Sequence, residues 1–190
     1  LDAEITVCMV TESYPPEWSE EYLRTKEIEI RESNKILGIT NTISLTFPAA
    51  KLYTIPQKDL NAKISDVVAR IRPDTLYIPH HGDIHTDHRL VHEATLVAAR
   101  PTPGQSIVRI LAYETPSETE WGLVPFWPNV YENISSTLAR KMEALSVYRT
   151  EIREFPHPRS AIVLEALAKK RGSEAGVKAA EAFMLVRSIS

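Results

Sequence analysis

Cysteine, positive charge and long apolar runs are all scarce in this sequence of 190 residues. Cys8 is the only cysteine, so an intramolecular disulfide is excluded and any metal site must use His, Asp or Glu. The 22 Lys and Arg residues stand against 25 Asp and Glu, a net charge of −3, so nothing indicates nucleic-acid binding. No apolar stretch approaches the roughly 20 residues of a membrane span, and no signal peptide is recognisable, so we expect a cytoplasmic protein.

Segments with strand-like and helix-like patterns alternate along the chain. Hydrophobic residues make up 43% and charged residues 25% of the sequence, as expected for one soluble globular domain. The predicted strands are 4–11, 43–47, 75–79, 107–113, 129–134 and 183–189. The predicted helices are 20–37, 58–71, 87–99, 158–171 and 174–181, together with one capped by Ser135 or Ser136 that includes Leu138, Met142, Leu145 and Tyr148. This alternation is typical of βαβ units, so we expect an α/β, Rossmann-like fold with a mainly parallel sheet, helices on both faces and a site at the carboxyl edge.

Histidine is concentrated in one short segment that directly follows the apolar run 75–78. Five of the six histidines lie within thirteen residues, at His80, His81, His85, His88 and His92. A buried strand that ends in a glycine-containing loop and then leads into a helix places such side chains where α/β folds bind ligands. We expect His80, His81 and His92, taken singly, to be structural or peripheral.

His85, Asp87 and His88 form the candidate catalytic cluster. In the first turn of a helix, the i, i+3 spacing brings both imidazoles to one side, with a carboxylate between them. Such a set suits Zn²⁺, but three protein ligands are usual, so a second element must contribute. The candidates for that second element are Glu12, Glu114 and His157. The alternative interpretation is a helix-capping Asp87 beside solvated histidines.

The motif His85-Thr86-Asp87-His88, preceded by Gly82-Asp83 and a strand ending in Pro79, resembles the second signature of the PIG-L/LmbE-like zinc-dependent de-N-acetylases. Other similar segments run from Gly38 through Arg100-Pro101, over Tyr113-Glu114-Thr115, and from Arg171-Gly172 to Ala182-Phe183. The resemblance covers most of the chain. It implies a Zn²⁺ cofactor and an enzyme that removes acetyl from an N-acetylated amino sugar, usually an N-acetylglucosamine unit.

The resemblance also implies a role for each motif residue. His88 is expected to bind the metal, His85 to act as the acid or oxyanion stabiliser, and Asp87 to orient and charge an imidazole. A neighbouring carboxylate favours the cationic imidazole, which can donate to an oxyanion or a leaving amine. For sugar binding we expect Tyr113, Glu118, Trp121 and Arg159, with packing or surface ion pairs as the alternative for each.

The family's other signature, His-Pro-Asp-Asp, which supplies two metal ligands and the general base, does not occur in this sequence. The chain opens Leu1-Asp2-Ala3-Glu4 without Met, so we expect residues 1–190 to be a single de-N-acetylase-like domain truncated at its N-terminus; a processed terminus is the alternative. A missing strand leaves an exposed edge or face, which predicts a chain that is marginally stable or prone to associate. The rival functions are a non-catalytic binding or scaffold domain and a metallohydrolase of another amide bond.

Overall fold

The computed structural model describes residues 3–190 and has an α/β architecture. Its strands are β1 Thr6–Glu12, β2 Asn41–Pro48, β3 Thr75–Pro79, β4 Arg109–Tyr113, β5 Val130–Asn133 and β6 Ala180–Ser188. Its α-helices are α1 Glu20–Leu37, α2 Gln57–Ile71, α3 Thr86–Ala98, α4 Leu138–Ser146 and α5 Ala161–Ala175. The predicted α/β class is confirmed. None of the helices within residues 3–190 is long and apolar enough to cross a bilayer.

The strands form two sheets. β1 and β2 pair in parallel, and the second sheet has the order β3-β4-β6-β5. β3 and β4 are also parallel, whereas β6 runs antiparallel to β4. Parallel pairing occurs where one crossover helix joins consecutive strands, α1 between β1 and β2 and α3 between β3 and β4. β6 is not reached by such a crossover from β4, and it makes the second sheet mixed.

Contacts divide the chain into two compact units. The first unit comprises residue 3 to Ala49 together with Tyr131–Glu181, and the second comprises Ala50–Val130 together with Ala182–Ser190. The histidine-rich segment lies entirely in the second unit. The single-domain organisation stays a prediction.

Helix ends follow local sequence signals. The Ser19 hydroxyl caps α1 by accepting a hydrogen bond from the backbone N–H of Tyr22 at 3.2 Å. Gly38 ends α1 in the left-handed conformation, with φ of 75°, at the predicted stop. Gly176 ends α5 in the same way, with φ of 72°. The predicted separate helix over 174–181 is wrong, because this glycine stops α5 and the chain then enters β6.

The core of the second unit holds β3 and β4 in place. Its buried apolar side chains are Val68, Ile78, Ala99, Ile107, Ile110 and Ala112. β3 and β4 are in register from Thr75 opposite Arg109 to Pro79 opposite Tyr113. Both strands therefore end at the same edge of the sheet. The loops that follow them, 80–85 and 114–129, both start at that edge.

Two histidines of the segment are buried in the second unit. His80 is 0% exposed and His92 is 6% exposed, and burial lowers the pKa of both rings. The Nδ1–H of His92 donates to the carbonyl oxygen of Pro79 at 2.8 Å. The Nε2 of His80 lies 3.2 Å from the carbonyl oxygen of Val124. Both rings therefore support the fold as neutral groups.

We expect His92→Gln to flatten the pH dependence of stability. The folded-state pKa of His92 lies below the ordinary value of about 6.5, so below that pH the unfolded chain takes up a proton that the folded chain resists. The free energy of unfolding then falls as pH drops, by at most about 1.4 kcal/mol per pH unit for one site. Urea unfolding between pH 7 and 5 measures the slope, and equal slopes for wild type and variant would contradict the assignment.

Candidate active site

The histidine-rich loop joins β3 to α3. The strand ends at Pro79 and the helix begins at Thr86. The guanidinium of Arg89, one turn into α3, donates to the carbonyl oxygens of Asp83 at 2.8 Å and Ile84 at 2.7 Å. The loop backbone is therefore held by the helix that follows it, at the carboxyl edge of β3.

A buried carboxylate, Asp83, orients His88. The Asp83 side chain is 0% exposed, and its Oδ2 accepts a hydrogen bond from Nδ1 of His88 at 2.8 Å. An ionised carboxylate only accepts, so Nδ1 carries the proton and the neutral His88 ring keeps a lone pair on Nε2. Metal-ligating histidines have this arrangement, with one nitrogen for the ion and the other donating to a carboxylate. The His88 side chain is 28% exposed, so it remains accessible.

His85 is held in the opposite tautomer. It is the N-cap residue of α3, and its Nδ1 accepts a hydrogen bond from the backbone N–H of Asp87 at 3.2 Å. An accepting nitrogen is unprotonated, so the neutral ring carries its proton on Nε2. The rings of His85 and His88 stack, with centroids 4.7 Å apart and 14° between their planes. The spacing thus brings the two imidazoles together as predicted, one offering a lone pair and the other an N–H.

The Asp87 carboxylate holds a neighbouring turn. Its Oδ2 accepts from the backbone N–H of Ala50 at 2.7 Å, and its Oδ1 accepts from that of Leu52 at 3.1 Å. Asp87 was expected to orient an imidazole, but the carboxylate that does so for His88 is Asp83. The reason is local geometry, because the first turn of α3 directs Asp87 to donors 37 and 35 residues away in the chain.

Asp83 is the residue of this site that the sequence analysis missed. Besides His88, it binds the hydroxyl of Thr119, which donates to Oδ1 at 2.6 Å. The backbone N–H of Ile84 also donates to the carbonyl oxygen of Glu118 at 3.3 Å. These contacts join the loop after β3 to the loop after β4. An aspartate in a strand-to-helix loop was the available signal, but a spacing of five from His88 matches no regular period.

Three of the four predicted sugar contacts lie in the same unit as this site. Tyr113 ends β4, and Glu118 and Trp121 lie in the following loop. Burial of the phenol, and secondarily the charge of Asp83, raises the pKa of Tyr113 to about 12, although 37% of the residue is exposed. Trp121 is 55% exposed. Tyr113 is therefore a protonated hydroxyl at neutral pH, and Trp121 has a free apolar face.

Arg159, the fourth predicted contact, belongs to a polar network of the first unit. The Glu151 carboxylate pairs with both Arg159 and Lys26 and accepts from the Tyr22 hydroxyl at 3.4 Å. Burial alone would raise the pKa of Glu151, but the hydrogen bond and charge of Lys26 and the charge of Arg159 lower it. The guanidinium therefore makes the ion pair that was the alternative interpretation of this residue.

The part of the chain that the structure describes, residues 3–190, contains no group of three His, Cys, Asp or Glu side chains placed to share one metal ion. Of the candidates for a second ligand, Glu114 is in the same unit as His88, whereas Glu12 and His157 are in the first unit. His88 therefore has the hydrogen bonding of a metal ligand without a complete ligand set around it.

Comparison with known families matches residues 2–99 to PIG-L, the GlcNAc-PI de-N-acetylase family. This span is more than half of the chain and includes the whole segment from His80 to His92. The chain belongs to the PIG-L family. The resemblance drawn from the His85–His88 motif is confirmed.

A curated relative is similar to this PIG-L chain over only part of the length of each protein. The uncharacterized deacetylase YaiS of Escherichia coli (strain K12) is 31% identical over 128 residues, which are 64% of this chain and 64% of the relative. The match therefore spans less than two thirds of the relative's own length.

Solved structures share the fold of this PIG-L chain. The N,N'-diacetylchitobiose deacetylase of Pyrococcus horikoshii has a TM-score of 0.76 and 18% identity, covering 97% of this chain and 73% of that one. The 4-carboxy-2-hydroxymuconate hydratase of Pseudomonas putida KT2440 has a TM-score of 0.74 and 18% identity, covering 96% and 85%. These matches confirm the Rossmann-like arrangement. Since one neighbour is a deacetylase and the other a hydratase, the reaction has to be argued from site residues.

We expect Asp83→Asn to release His88 from its fixed tautomer, because the neutral amide can present a donor as well as an acceptor to Nδ1. Long-range ¹H–¹⁵N NMR spectra report which ring nitrogen is protonated. Wild type should show protonated Nδ1 in His88 and protonated Nε2 in His85, and the variant should show a mixture in His88.

Asp87→Asn is the matched control for this experiment. It should leave the His88 tautomer as in wild type and lower the free energy of unfolding by about 1–3 kcal/mol, because the N–H groups of Ala50 and Leu52 lose a charged acceptor. A mixed His88 tautomer in Asp87→Asn, or an unaltered one in Asp83→Asn, would contradict the assignment of Asp83.

Proposed function

We propose that this protein is a zinc-dependent de-N-acetylase that removes the acetyl group from an N-acetylglucosamine-containing amino sugar. The observation that carries the proposal is the stacked His85–His88 pair, in which Nδ1 of His88 faces the Asp83 carboxylate and Nδ1 of His85 faces a backbone N–H. Metal-assisted amide hydrolysis needs a lone pair for the ion and a hydrogen-bond donor for the oxygen that becomes negative. PIG-L membership and the fold neighbour that is an N,N'-diacetylchitobiose deacetylase support an acetylated amino sugar as the substrate class.

His88 is the metal ligand in this proposal. The Asp83 carboxylate accepts the Nδ1 proton, which makes the imidazole a better ligand and fixes its plane. A zinc ion held by His88 would supply Lewis-acid chemistry that activates a water molecule near neutral pH. The proposal assigns no further ligand and no general base among residues 3–190.

His85 stabilises the developing oxyanion or acts as the acid. As the acetamide carbonyl is attacked, negative charge accumulates on its oxygen, and the Nε2–H of His85 is the donor for that charge. The backbone N–H of Asp87 holds Nδ1 of the same ring, so the donor is oriented before the reaction. Asp87 is accordingly a positioning residue, acting through His85 and through the turn at Ala50 and Leu52.

The sugar is expected to contact residues at the end of β4 and in the loop after it. Because the pKa of Tyr113 is raised to about 12, its hydroxyl stays protonated and donates to a sugar oxygen. The Glu118 carboxylate accepts from sugar hydroxyls, and the exposed ring of Trp121 offers a flat apolar face. Arg159 stays a predicted contact, although its guanidinium is paired with Glu151.

The proposal retains three broader predictions from the sequence. The partner is a small molecule and not a nucleic acid, the location is cytoplasmic, and the chain is a candidate for association with copies of itself, in an oligomeric state that is not assigned. Each stays a prediction, and none of them enters the argument for His85 and His88.

In the full-length protein, with the His-Pro-Asp-Asp signature present, His88→Ala and His85→Ala should separate metal binding from turnover. His88→Ala should lose both zinc binding and the release of acetate. His85→Ala should keep zinc binding and lose roughly 10²- to 10³-fold in turnover, the usual cost of one oxyanion donor. Competition with a chromophoric chelator measures zinc affinity in each variant, and the acetate methyl signal in NMR spectra measures the product of an N-acetylglucosamine glycoside.

Three results would overturn parts of this proposal. Acetate release that persists in excess chelator would exclude zinc dependence. Loss of zinc binding in both variants would make His85 a ligand. A full-length wild-type protein that binds the glycoside with zinc present and releases no acetate would favour the non-catalytic binding domain.

A further inference from the structure

The loop after β4 exposes several large apolar side chains of the second unit. We define the tryptophan loop as residues 121–127, with the sequence Trp-Gly-Leu-Val-Pro-Phe-Trp and no charged side chain. Leu123 is 100% exposed, Trp127 72% and Trp121 55%. Single exposed apolar residues are ordinary on protein surfaces, but contiguous apolar patches usually mark a binding site.

The tryptophan loop is fastened at its middle and at its far end. The carbonyl oxygen of Val124 lies 3.2 Å from Nε2 of the buried His80, and Phe126 packs edge-on against the same ring. The backbone N–H of Trp127 donates to the sulfur of Met184 on β6 at 3.4 Å. These anchors hold the loop in one conformation while its largest side chains remain in solvent.

The loop also rests directly on the histidine-rich loop through two glycines. A Cβ on Gly122 would collide with the carbonyl oxygen of Gly82. A Cβ on Gly82 would in turn collide with the Val124 backbone and with the His80 ring. Just before the loop begins, the Thr119 hydroxyl donates to Asp83, the carboxylate that also orients His88. The tryptophan loop is therefore connected to the His88 imidazole through Gly82, Thr119 and Asp83.

We propose that the tryptophan loop binds an apolar substituent of the amino-sugar substrate, a hydrocarbon or aromatic group linked to the sugar. This inference rests on the proposed function, since it places the sugar at His85 and His88. A free sugar needs hydrogen-bond partners, and the side chains of this loop offer only two indole N–H groups. An apolar substituent can pack against the side chains of Leu123 and Trp127. It would be attached to a sugar bound at His88, and the loop is joined to that site through the bond between Thr119 and Asp83.

Charge argues against an anionic membrane as the occupant. The segment leading into the loop carries Glu114, Glu118 and Glu120, and no Lys or Arg lies between Arg109 and Arg140. Peripheral membrane sites are usually basic around their apolar side chains. An uncharged apolar group on a small molecule avoids this repulsion.

Paired glycosides test the inference by NMR titration of the ¹⁵N-labelled chain with zinc present. Methyl and hexyl N-acetyl-β-glucosaminide differ by five methylenes, and burial of even two of these methylenes is worth about tenfold in affinity. We expect the hexyl glycoside to bind about tenfold more tightly. Both glycosides should shift the indole N–H signal of Trp121, and the hexyl glycoside should in addition shift that of Trp127 and leave Trp18, the third tryptophan, in place.

Substitutions then test whether the preference for the hexyl over the methyl glycoside depends on the tryptophan loop. Leu123→Ser combined with Trp127→Ser should reduce the hexyl preference to twofold or less, and Gly122→Ala should reduce it by displacing the loop. Val108→Ser is the matched control, since Val108 is 45% exposed and precedes β4 at the opposite end from Tyr113. Val108→Ser should keep the tenfold preference for the hexyl glycoside.

The outcomes separate this inference from the proposed function. Acetate release from both glycosides with no hexyl preference would overturn the inference and leave the deacetylase intact. A loop-dependent hexyl preference without acetate release would support the apolar site and reject the proposed reaction. Binding of neither glycoside would reject both. If sedimentation shows that the double variant converts a dimer to a monomer, and the hexyl preference is absent, the loop is instead an interface between copies of the chain.

Discussion

The site depends on one buried charge, the carboxylate of Asp83. Removing an ionised carboxylate from water costs several kcal/mol unless hydrogen bonds and opposite charge compensate. Here Oδ1 accepts from Thr119 and Oδ2 accepts from His88, so both oxygens are satisfied. The same two bonds fix an imidazole tautomer and bring the loop after β4 against the loop after β3. The cost of burial is therefore offset by the contacts that assemble the site.

Parallel pairing explains why these two loops can meet. Because Pro79 and Tyr113 are opposite each other at the ends of β3 and β4, the chain leaves both strands at the same edge. The glycines at 82 and 122 then let the two backbones approach more closely than any side chain would allow. Neither the sheet register nor the glycines take part in chemistry, yet the geometry around His88 requires both.

Much of the fold and part of the candidate site could be predicted from the sequence. Each feature that could not be predicted has a physical reason. β3 was predicted with its observed bounds, Thr75–Pro79, and α1 with its bounds, Glu20–Leu37, because apolar runs, periodicity and a glycine stop are local signals. The partner of Asp87 was not predictable, because its donors lie on a turn 35 to 37 residues away. Pairing of Arg159 with Glu151 depends likewise on how a turn folds. Sequence adjacency to a histidine was a poor guide to contact.

Two imidazoles in one motif differ in what they can do only because their neighbours differ. His88 faces an acceptor at Nδ1 and His85 faces a donor at Nδ1, so the remaining nitrogen is a lone pair in one ring and an N–H in the other. Fold alone could not have established this, since a similar fold occurs in both a deacetylase and a hydratase. A reaction on this scaffold is selected by side chains and backbone groups adjacent to the rings. A change at position 83, which need not touch substrate, would therefore alter the chemistry as directly as a change at position 88.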